Sequence, residues 1–381
     1  MDVGAWANRP ALASRPWSHP ARRASRADRH GGVAAEWHGA DDRVVDDREV
    51  IAALALDLGA SRIRAGVVDG AGRVVSRSEA RTPVEAGPQG VVATSISMLR
   101  RVRDGAPVPV RERIAGVGIA APGPLDPARG TLVEPPNLPR SFAGAALAGP
   151  IGAALALPAA LERDTHVAAL AEWEFGAARG LTDFLYVTVS TGVGGAIVSG
   201  GRLLGGPDGV AGELGHLLVE IDGPPCGCGG RGHLEGIASG SGIARAAGSS
   251  IAAGTAPGLG TLAARRGRGL DARDVADAEK AGDADAARIM ERARHAFAES
   301  CVALVNVFNP QRIVVGGSVA RNQGERWLAP ARERVAAIAF SVPRARVEIV
   351  PAELGDDVGL VGALSLLRRR AELSSPGAGQ V

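Results

Sequence analysis

One segment of the chain carries three groups of residues that suit three kinds of chemistry. Residues 190–195, Ser-Thr-Gly-Val-Gly-Gly, combine hydroxyls with glycines, and such a turn lets hydroxyl and backbone N–H groups approach phosphate oxygens. Residues 212–216, Gly-Glu-Leu-Gly-His, place a carboxylate near an imidazole. Residues 226–235 add two cysteines, a histidine and a glutamate. Together they predict that a phosphorylated nucleotide meets a polyhydroxylated small molecule here.

The cysteines and histidines have a spacing compatible with a metal site. Cys226, Cys228, His233 and His216 supply two thiolates and two imidazoles, enough for a closed tetrahedral zinc site of the structural kind. A Cys-x-Cys pair is weaker evidence than two Cys-x-x-Cys pairs. The alternative is that His216 or His233 is an ordinary polar core residue. Cys301 lies in an apolar run and is expected in the core.

A second phosphate turn is predicted near the start of the regular sequence. Apolar runs at 51–57 and 63–69 flank a turn of small residues, a pattern that indicates strand, turn, strand. The turn would let backbone N–H groups approach a phosphate, Ser61 and Arg62 add donors, and Asp57 is suited to hold a metal ion or its water. An ordinary Asp-x-Gly turn without a ligand is the alternative.

Two further polar residues are candidates for ligand chemistry. Asp164 follows a short apolar strand and precedes a helix, where a carboxylate on a rigid strand end can act as a general base for a hydroxyl group. The alternative is an aspartate that caps the helix. Asn137 lies between prolines, and it is either a hydrogen-bond partner for a ligand hydroxyl or the cap of its own turn.

The elements that must position these residues follow from apolar periodicity. Strands are predicted at 51–57, 63–69, 114–120, 158–162, 184–190, 194–199, 312–315 and 345–350, and helices at 89–104, 167–178, 283–308, 327–339 and 358–370. The strand–turn–strand unit occurs in both halves of the chain, which suggests two related domains facing each other across a cleft. The last helix is expected to return to the first domain.

Composition narrows the class of protein. The 381 residues leave room for two domains, and a hydrophobic fraction of 46% is typical of globular proteins. A net charge of +2 requires no extended basic surface, so no nucleic-acid partner is expected. Three cysteines form no disulfide framework and favour a reducing cytoplasm. The sequence contains no apolar run of about 18 residues, so no membrane span is predicted.

Residues 1–50 differ in composition from the rest of the chain. They mix Ala, Arg, Pro and Gly, end in an acidic stretch, and show no helical or strand periodicity. We expect a disordered extension, or a start codon assigned upstream of the true one. A transit peptide is the alternative by composition, but Pro10, Pro16 and Pro20 would interrupt its amphipathic helix.

The order of these motifs resembles the ROK (repressor, open reading frame, kinase) family of sugar kinases and sugar-sensing repressors. The resemblance covers about residues 51–370 and includes Asp57-x-Gly59, Pro122-Gly123-Pro124, residues 136–139, Asp164, residues 190–195, 212–216 and 226–235, and Gly316-Gly317. It implies an α/β, two-domain actin-like ATPase (ribonuclease H-like) fold with a central cleft. The small α/β domain would span 51–166, completed by a C-terminal helix at 356–371, and the large α/β domain, with the zinc-type motif, would span 167–355.

The resemblance also implies roles in an ATP-dependent transfer to a hexose hydroxyl. Asp164 resembles the catalytic base that takes the proton of the sugar 6-hydroxyl, and Asp57 would stand near Mg²⁺. The implied sugar-binding set contains Asn137, Asp164, Glu213, His216 and Glu235. The implied phosphate loops contain Gly59, Ser61, Thr191, Gly192 and Gly194, with Arg62 as a further donor, and the adenosine-side turn contains Gly316 and Gly317. Structural Zn²⁺ would be held by His216, Cys226, Cys228 and His233.

The sequence departs from the family pattern at four positions. His233 replaces the third cysteine usual in the zinc motif, which puts metal binding in doubt. Ala60 stands where a second glycine is usual, and Ser61 where threonine is common. Arg163 stands where asparagine usually precedes the catalytic aspartate. Its guanidinium would either lower the pKa of Asp164 and weaken the base, or point away from it.

The choice of sugar, donor and assembly stays open at this stage. N-acetylmannosamine kinases of the family tend to have histidine where this chain has Glu213, so glucose is the first expectation. An N-acetylglucosamine or N-acetylmannosamine kinase is the alternative, and mannose or fructose are also possible acceptors. ATP is the expected donor, and polyphosphate is the alternative. The resemblance implies a homodimer or homotetramer. A sugar-binding transcriptional regulator is the rival class, but residues 1–50 lack the helical periodicity of a winged helix–turn–helix.

Overall fold

A five-stranded mixed sheet forms the first lobe of the protein. The structure, a computed structural model, describes residues 52–135 and 137–374. The first sheet has the strand order β3–β2–β1–β4–β7, with β1 (Ala52–Leu58), β2 (Arg62–Asp69), β3 (Val74–Arg81), β4 (Ile114–Ala121) and β7 (Ala159–Arg163). β1 is antiparallel to β2 and parallel to β4, which is parallel to β7. The extension predicted at 1–50 lies outside the described residues.

Helices cover both faces of the first sheet, which explains why its central strands are apolar on both sides. Leu54 and Leu56 of β1 share a core with α1 (Gly87–Asp104) and α3 (Ala148–Leu155). The alternate residues, Ala53 and Ala55, pack against α13 (Val358–Ser374). The lobe also contains α2 (Val108–Arg111) and a short hairpin of β5 (Leu125–Asp126) and β6 (Thr131–Leu132).

The second lobe repeats the topology of the first. Its sheet has the order β10–β9–β8–β11–β12, with β8 (Phe184–Val189), β9 (Val193–Ser199), β10 (Arg202–Leu203), β11 (Arg312–Gly316) and β12 (Glu348–Pro351). β8 is antiparallel to β9 and parallel to β11, as β1 is to β2 and β4. The strand–turn–strand unit predicted in both halves of the chain is therefore present in each sheet.

The second sheet also has a different helical layer on each face. Leu185 and Val187 face the larger core, whereas Phe184 and Tyr186 pack against α4 (Asp164–Phe175). The larger core is formed with α5 (Leu234–Ala238), α6 (Gly240–Ala252), α7 (Pro257–Arg266), α8 (Ala272–Lys280), α9 (Ala284–Phe308), α10 (Ser318–Gln323) and α11 (Glu325–Ile338), and α12 (Ser341–Arg344) follows α11. Among the described helices, none is both long and apolar enough to cross a lipid bilayer.

Two chain segments connect the lobes, and their helices pack against each other. α4 leads from β7 of the first sheet into the second lobe, and α13 returns from β12 to cover the first sheet. The buried carboxylate of Glu172 in α4 accepts the backbone N–H groups of Glu353 and Leu354, just before α13. All described residues belong to one compact unit. The domain boundaries predicted near residues 166 and 356 stay a prediction.

Candidate active site

Asp164 lies where the two lobes meet, as the first residue of α4 directly after β7. The N-cap of this helix is Arg163, so Asp164 does not occupy the capping position. Its Oδ1 accepts a hydrogen bond of 2.7 Å from the backbone N–H of Thr165. Thr165 also contacts the second lobe, because a Cβ added to Gly194 would lie 2.7 Å from Thr165 Cγ2. The predicted base therefore stands beside the predicted phosphate turn at 190–195.

The surroundings of Asp164 make its carboxyl group more basic than an ordinary aspartate. Two causes raise the pKa of Asp164 to about 6. The larger is burial, which removes water from the carboxyl group, and the second is the negative charge of Asp57. The side chain nevertheless reaches solvent at the junction. A carboxylate with this pKa is mostly ionised at pH 7 and accepts a proton more readily than one with a pKa near 4.

The side chain of Arg163 is directed away from this base. Its Nη2 donates to Glu213 Oε1, and its Nη1 donates to the carbonyl oxygen of Ala211 at 2.9 Å. The charge of Arg163 acts to lower the pKa of Asp164, but burial and Asp57 outweigh it. Of the two outcomes that the sequence left open for Arg163, the structure has the guanidinium turned toward Glu213.

Asp57 ends the first strand and is held by an arginine on its neighbour. Antiparallel pairing places Asp57 opposite Arg64, and Arg64 Nη2 donates to Asp57 Oδ2 at 2.6 Å. Burial raises the pKa of Asp57, and the charge of Arg64 opposes that rise. The carboxylate also faces the start of α13, since a Cβ added to Gly359 would lie 2.7 Å from Asp57 Oδ2. A carboxylate in this position can contribute oxygen ligands to a divalent cation.

The turn after Asp57 is closed by its own hydrogen bonds. The Gly59 N–H donates to the Arg62 carbonyl oxygen at 2.8 Å, and Thr82 Oγ1 donates to the Gly59 carbonyl oxygen at 2.7 Å. Ser61 is exposed and available to a ligand. Arg62 instead donates to Glu79 at 3.0 Å across the sheet edge. The role of Arg62 as a hydrogen-bond donor to phosphate stays a prediction, and this geometry does not favour it.

The turn between β8 and β9 brings together the residues predicted for the second phosphate loop. Thr191 is exposed at its tip. Gly192 lies close to a carboxylate, since an added Cβ would lie 2.6 Å from Glu235 Oε2. The same oxygen of Glu235 accepts the backbone N–H of Val193 at 3.0 Å. Glu235, predicted from the resemblance as a sugar ligand, therefore supports the conformation of this turn.

The predicted adenosine-side turn lies next to the β8–β9 turn. Gly317 has a φ of 89° and its added Cβ would lie 2.3 Å from the Val189 carbonyl oxygen, so only glycine fits at this position. A Cβ added to Gly316 would lie 2.5 Å from the hydroxyl oxygen of Tyr186 on β8. Ser318 Oγ lies 3.1 Å from Ser190 Oγ, which links the two turns.

The polar cluster at 212–216 connects the junction to the cysteines. The Glu213 carboxylate divides its oxygens between two partners: Oε1 accepts from Arg163, and Oε2 lies 3.8 Å from His216 Nε2. The other ring nitrogen, His216 Nδ1, lies 3.8 Å from Cys226 Sγ. The two ring nitrogens of His216 thus face different neighbours, and its predicted roles as a metal ligand and a sugar ligand stay predictions.

The four predicted metal ligands converge in space. One ligand atom from each of His216, Cys226, Cys228 and His233 lies within 4.8 Å of all the others. Cys228 Sγ lies 3.3 Å from His233 Nδ1. The backbone of Gly230 lies close to the imidazole of His233, since an added Cβ would lie 2.4 Å from His233 Cε1. Two sulfurs and two nitrogens in this arrangement have the chemistry of a closed tetrahedral zinc site.

The structure shows where one further predicted site residue lies, and it brings to the junction two polar residues that had no prediction. Asn137 is exposed on the loop of the first lobe that precedes Leu138. Arg64 was missed because only strand register places it opposite Asp57. Thr165 was missed although it follows Asp164 directly. Its Oγ1 is buried and has no hydrogen-bond partner among the described residues.

Comparison with known proteins assigns this arrangement to a family. A family model with the description ROK family matches residues 53–370 of the chain. The chain belongs to the ROK family. The match covers both sheets and every predicted site residue, and it confirms the resemblance inferred from the motifs. The actin-like ATPase fold expected for a ROK protein is confirmed as well.

Relatives of this ROK protein include sugar kinases of two kinds. It is 32% identical over 317 residues to the glucokinase of Thermotoga maritima, covering 83% of this chain and 97% of the relative. It is 33% identical over 320 residues to the N-acetylmannosamine kinase of Shigella boydii serotype 18, covering 82% and 97%. The solved ROK family glucokinase from Streptomyces griseus in complex with glucose and AMPPNP is 31% identical, with a TM-score of 0.70 and coverage of 84% and 99%.

Proposed function

We propose that this ROK protein is an ATP-dependent hexose kinase that phosphorylates the 6-hydroxyl of glucose or a close relative. The observation that carries the proposal is the position of Asp164, a carboxylate with a pKa raised to about 6 beside the glycine turn of the second lobe. The similarity to glucokinases over more than four-fifths of the chain supports the same activity.

Asp164 would act as the general base. Its Oδ1 is engaged by the Thr165 N–H, which leaves Oδ2 to accept the proton of the sugar hydroxyl. The sugar oxygen would form a bond to the γ-phosphorus while the bond from that phosphorus to the β,γ-bridging oxygen breaks, giving the sugar phosphate and ADP. Such a transfer depends mainly on alignment and on stabilisation of charge at the phosphoryl group.

The two glycine turns would hold the nucleotide from opposite lobes. Thr191, Gly192 and Gly194 present hydroxyl and backbone groups from the second lobe, and Gly59 and Ser61 do so from the first. Gly316 and Gly317 would line the adenosine side. Mg²⁺, when bound, supplies positive charge to the phosphate oxygens, and Asp57 is the residue that we place near it. Arg64 holds the Asp57 carboxylate in orientation.

Glucose is the acceptor that we favour. Glu213 and His216 present a carboxylate oxygen and a ring nitrogen toward the junction, and these can bind sugar hydroxyls. Among ROK kinases a glutamate at the position of Glu213 is typical of glucokinase-like members. N-acetylmannosamine is the second candidate, because an N-acetylmannosamine kinase is as similar in sequence as the glucokinases are.

We also infer that His216, Cys226, Cys228 and His233 bind a structural zinc ion. The convergence of their ligand atoms supports this even though His233 replaces a cysteine. All four tetrahedral positions would be filled by protein, so the ion would stabilise the fold rather than take part in catalysis. Its effect on the site would pass through His216, whose ring it would orient toward Glu213.

An ADP-release assay with MgATP tests the proposal. Glucose, mannose, fructose, N-acetylglucosamine and N-acetylmannosamine are supplied in turn to the wild type, to Asp164→Asn and to Asp277→Asn, an exposed aspartate on α8 that serves as the matched control. We expect turnover with glucose that is lost in the first variant and kept in the second. Folded wild type that turns over none of these sugars would exclude the proposal for them, and equal activity of Asp164→Asn would exclude Asp164 as the base.

A further inference from the structure

Arg163 lies on the acceptor side of the site and has no role in the chemistry proposed above. It is the last residue of β7 and is 3% exposed. Its aliphatic stem packs against Gly123 of the Pro122-Gly123-Pro124 loop, since a Cβ added to Gly123 would lie 3.3 Å from Arg163 Cγ and Cδ. The guanidinium is thereby directed into the segment that precedes His216.

The guanidinium contacts one loop of the second lobe at three places, and its Nη1 also lies 3.5 Å from His166 Nε2 on α4. Nη1 donates to the carbonyl oxygen of Ala211 at 2.9 Å and lies 3.4 Å from that of Gly209, while Nη2 donates to Glu213 Oε1. The planar fork of arginine can make these bonds together, which asparagine or lysine cannot do. Arg163 thus joins a rigid strand end of the first lobe to the loop that carries Glu213.

This arrangement leaves one oxygen of Glu213 for a ligand. Oε1 is occupied by Arg163, and Oε2 lies on the side of His216. The Glu213 side chain is 46% exposed, so a carboxylate without the arginine would be free to rotate. A charged partner that restrains a half-exposed carboxylate lowers the conformational entropy lost when a ligand binds it.

We propose that Arg163 is a positioning residue for the acceptor sugar, because it fixes the Glu213 carboxylate so that Oε2 alone is offered to a hexose hydroxyl. The inference rests on the proposed hexose kinase activity and deepens it. Arg163 would act on sugar affinity and on discrimination between a hydroxyl and a hydrogen at the carbon that meets Glu213. It would leave nucleotide affinity unchanged, since its partners lie on the acceptor side.

The test is a double-mutant cycle between Arg163→Gln and Glu213→Gln, read by calorimetric titration of glucose without nucleotide and by separate KM values for glucose and ATP. Loss of a hydrogen bond to a charged group predicts that Arg163→Gln weakens glucose binding roughly 10- to 100-fold. In the Glu213→Gln background the same change should cost less than about 3-fold, because its partner has gone. The KM for ATP should stay within about 2-fold.

Two further variants separate positioning from general damage. Arg163→Lys keeps the charge without the fork, and we expect an intermediate loss of glucose affinity that still depends on Glu213. It also keeps the test usable if Arg163→Gln does not fold. Arg294→Gln removes another arginine–glutamate pair, between the largely buried Arg294 and the buried Glu279 in the second lobe, and should lower thermal stability without changing glucose affinity. The inference would be overturned if Arg163→Gln lost as much glucose affinity in the Glu213→Gln background as in the wild type. It would also be overturned if the KM for ATP rose in parallel with the KM for glucose.

Substrate analogues complete the test. Wild type should bind one of the 1-, 2- or 3-deoxyglucoses much more weakly than glucose, and Arg163→Gln should reduce that difference. If wild type binds glucose and the Arg163 variants bind it equally well, the inference fails while the proposed function stands. If wild type binds no hexose at all, the proposed function itself fails.

Discussion

The raised pKa of Asp164 predicts an unusual acid limb in the rate of phosphoryl transfer. If the reaction requires the ionised carboxylate, a pKa of about 6 means that about nine-tenths of the enzyme is active at pH 7 and about one-tenth at pH 5. The value of kcat/KM for glucose should therefore fall about 10-fold over this range. An aspartate at the ordinary value of 3.8 would lose only about 6% over the same range.

The assay must separate Asp164 from the titration of ATP itself. We would measure kcat/KM for glucose at saturating MgATP in a discontinuous assay, in which the reaction is quenched and sugar phosphate is quantified. A coupled assay is unsuitable because the coupling enzyme would add its own pH dependence. The charge of Glu213 also raises the pKa of Asp164, so Glu213→Gln should move the acid limb to lower pH, whereas a limb due to ATP would not move. A flat profile between pH 5 and 7, or an unshifted limb in this variant, would refute the reasoning.

Three other predictions concern stability and metal content. The pKa of Asp164 in the native state lies above its unfolded value of 3.8, so its ionised form destabilises the fold. This cost in stability is complete above about pH 6 and vanishes at about pH 4. Asp164→Asn should therefore raise the thermal midpoint at pH 8 but not at pH 4. Metal analysis should find about one zinc per chain in wild type and in Cys301→Ser, and less in Cys226→Ser, with a lower thermal midpoint in the last; equal zinc in all three would contradict the site. Gly317→Ala should cost about 3 kcal/mol in denaturant unfolding, since its Cβ would strike the Val189 carbonyl oxygen, whereas Gly324→Ala, with a φ of 56° and open space, should cost about 1 kcal/mol; equal costs would show that contact with Val189 is unimportant.

Much of the site could be predicted from the sequence because short motifs determine local geometry. The glycine turns at 59–61 and 190–194 follow apolar strands, so both had to lie at strand ends. The convergence of Cys226, Cys228 and His233 follows from their closeness in the chain. The repeated strand–turn–strand unit, together with the family motifs, was sufficient to predict the two-lobed fold.

The side-chain pairs across the site could not be predicted, because they depend on register and on contacts between distant segments. Arg64 meets Asp57 only through the antiparallel pairing of β1 with β2. Arg163 and Glu213 are separated by 50 residues, and their pairing depends on how the loop after β10 returns to the junction. The sequence therefore showed that Arg163 was unusual without showing whether its guanidinium would act on Asp164 or point away from it.

The return of α13 to the first sheet has a consequence for how the protein is made. Leu360, Ala363 and Leu364 of this helix pack on a face of the first sheet that is built from Ala53, Ala55 and Val68. Ribosomes synthesise that sheet first and α13 last. One face of the N-terminal lobe thus stays uncovered until nearly the whole chain has been translated, and during that interval its exposed apolar surface is open to chaperones. A chain that terminates before α13 would leave this surface bare permanently, which marks the truncated product for aggregation or degradation.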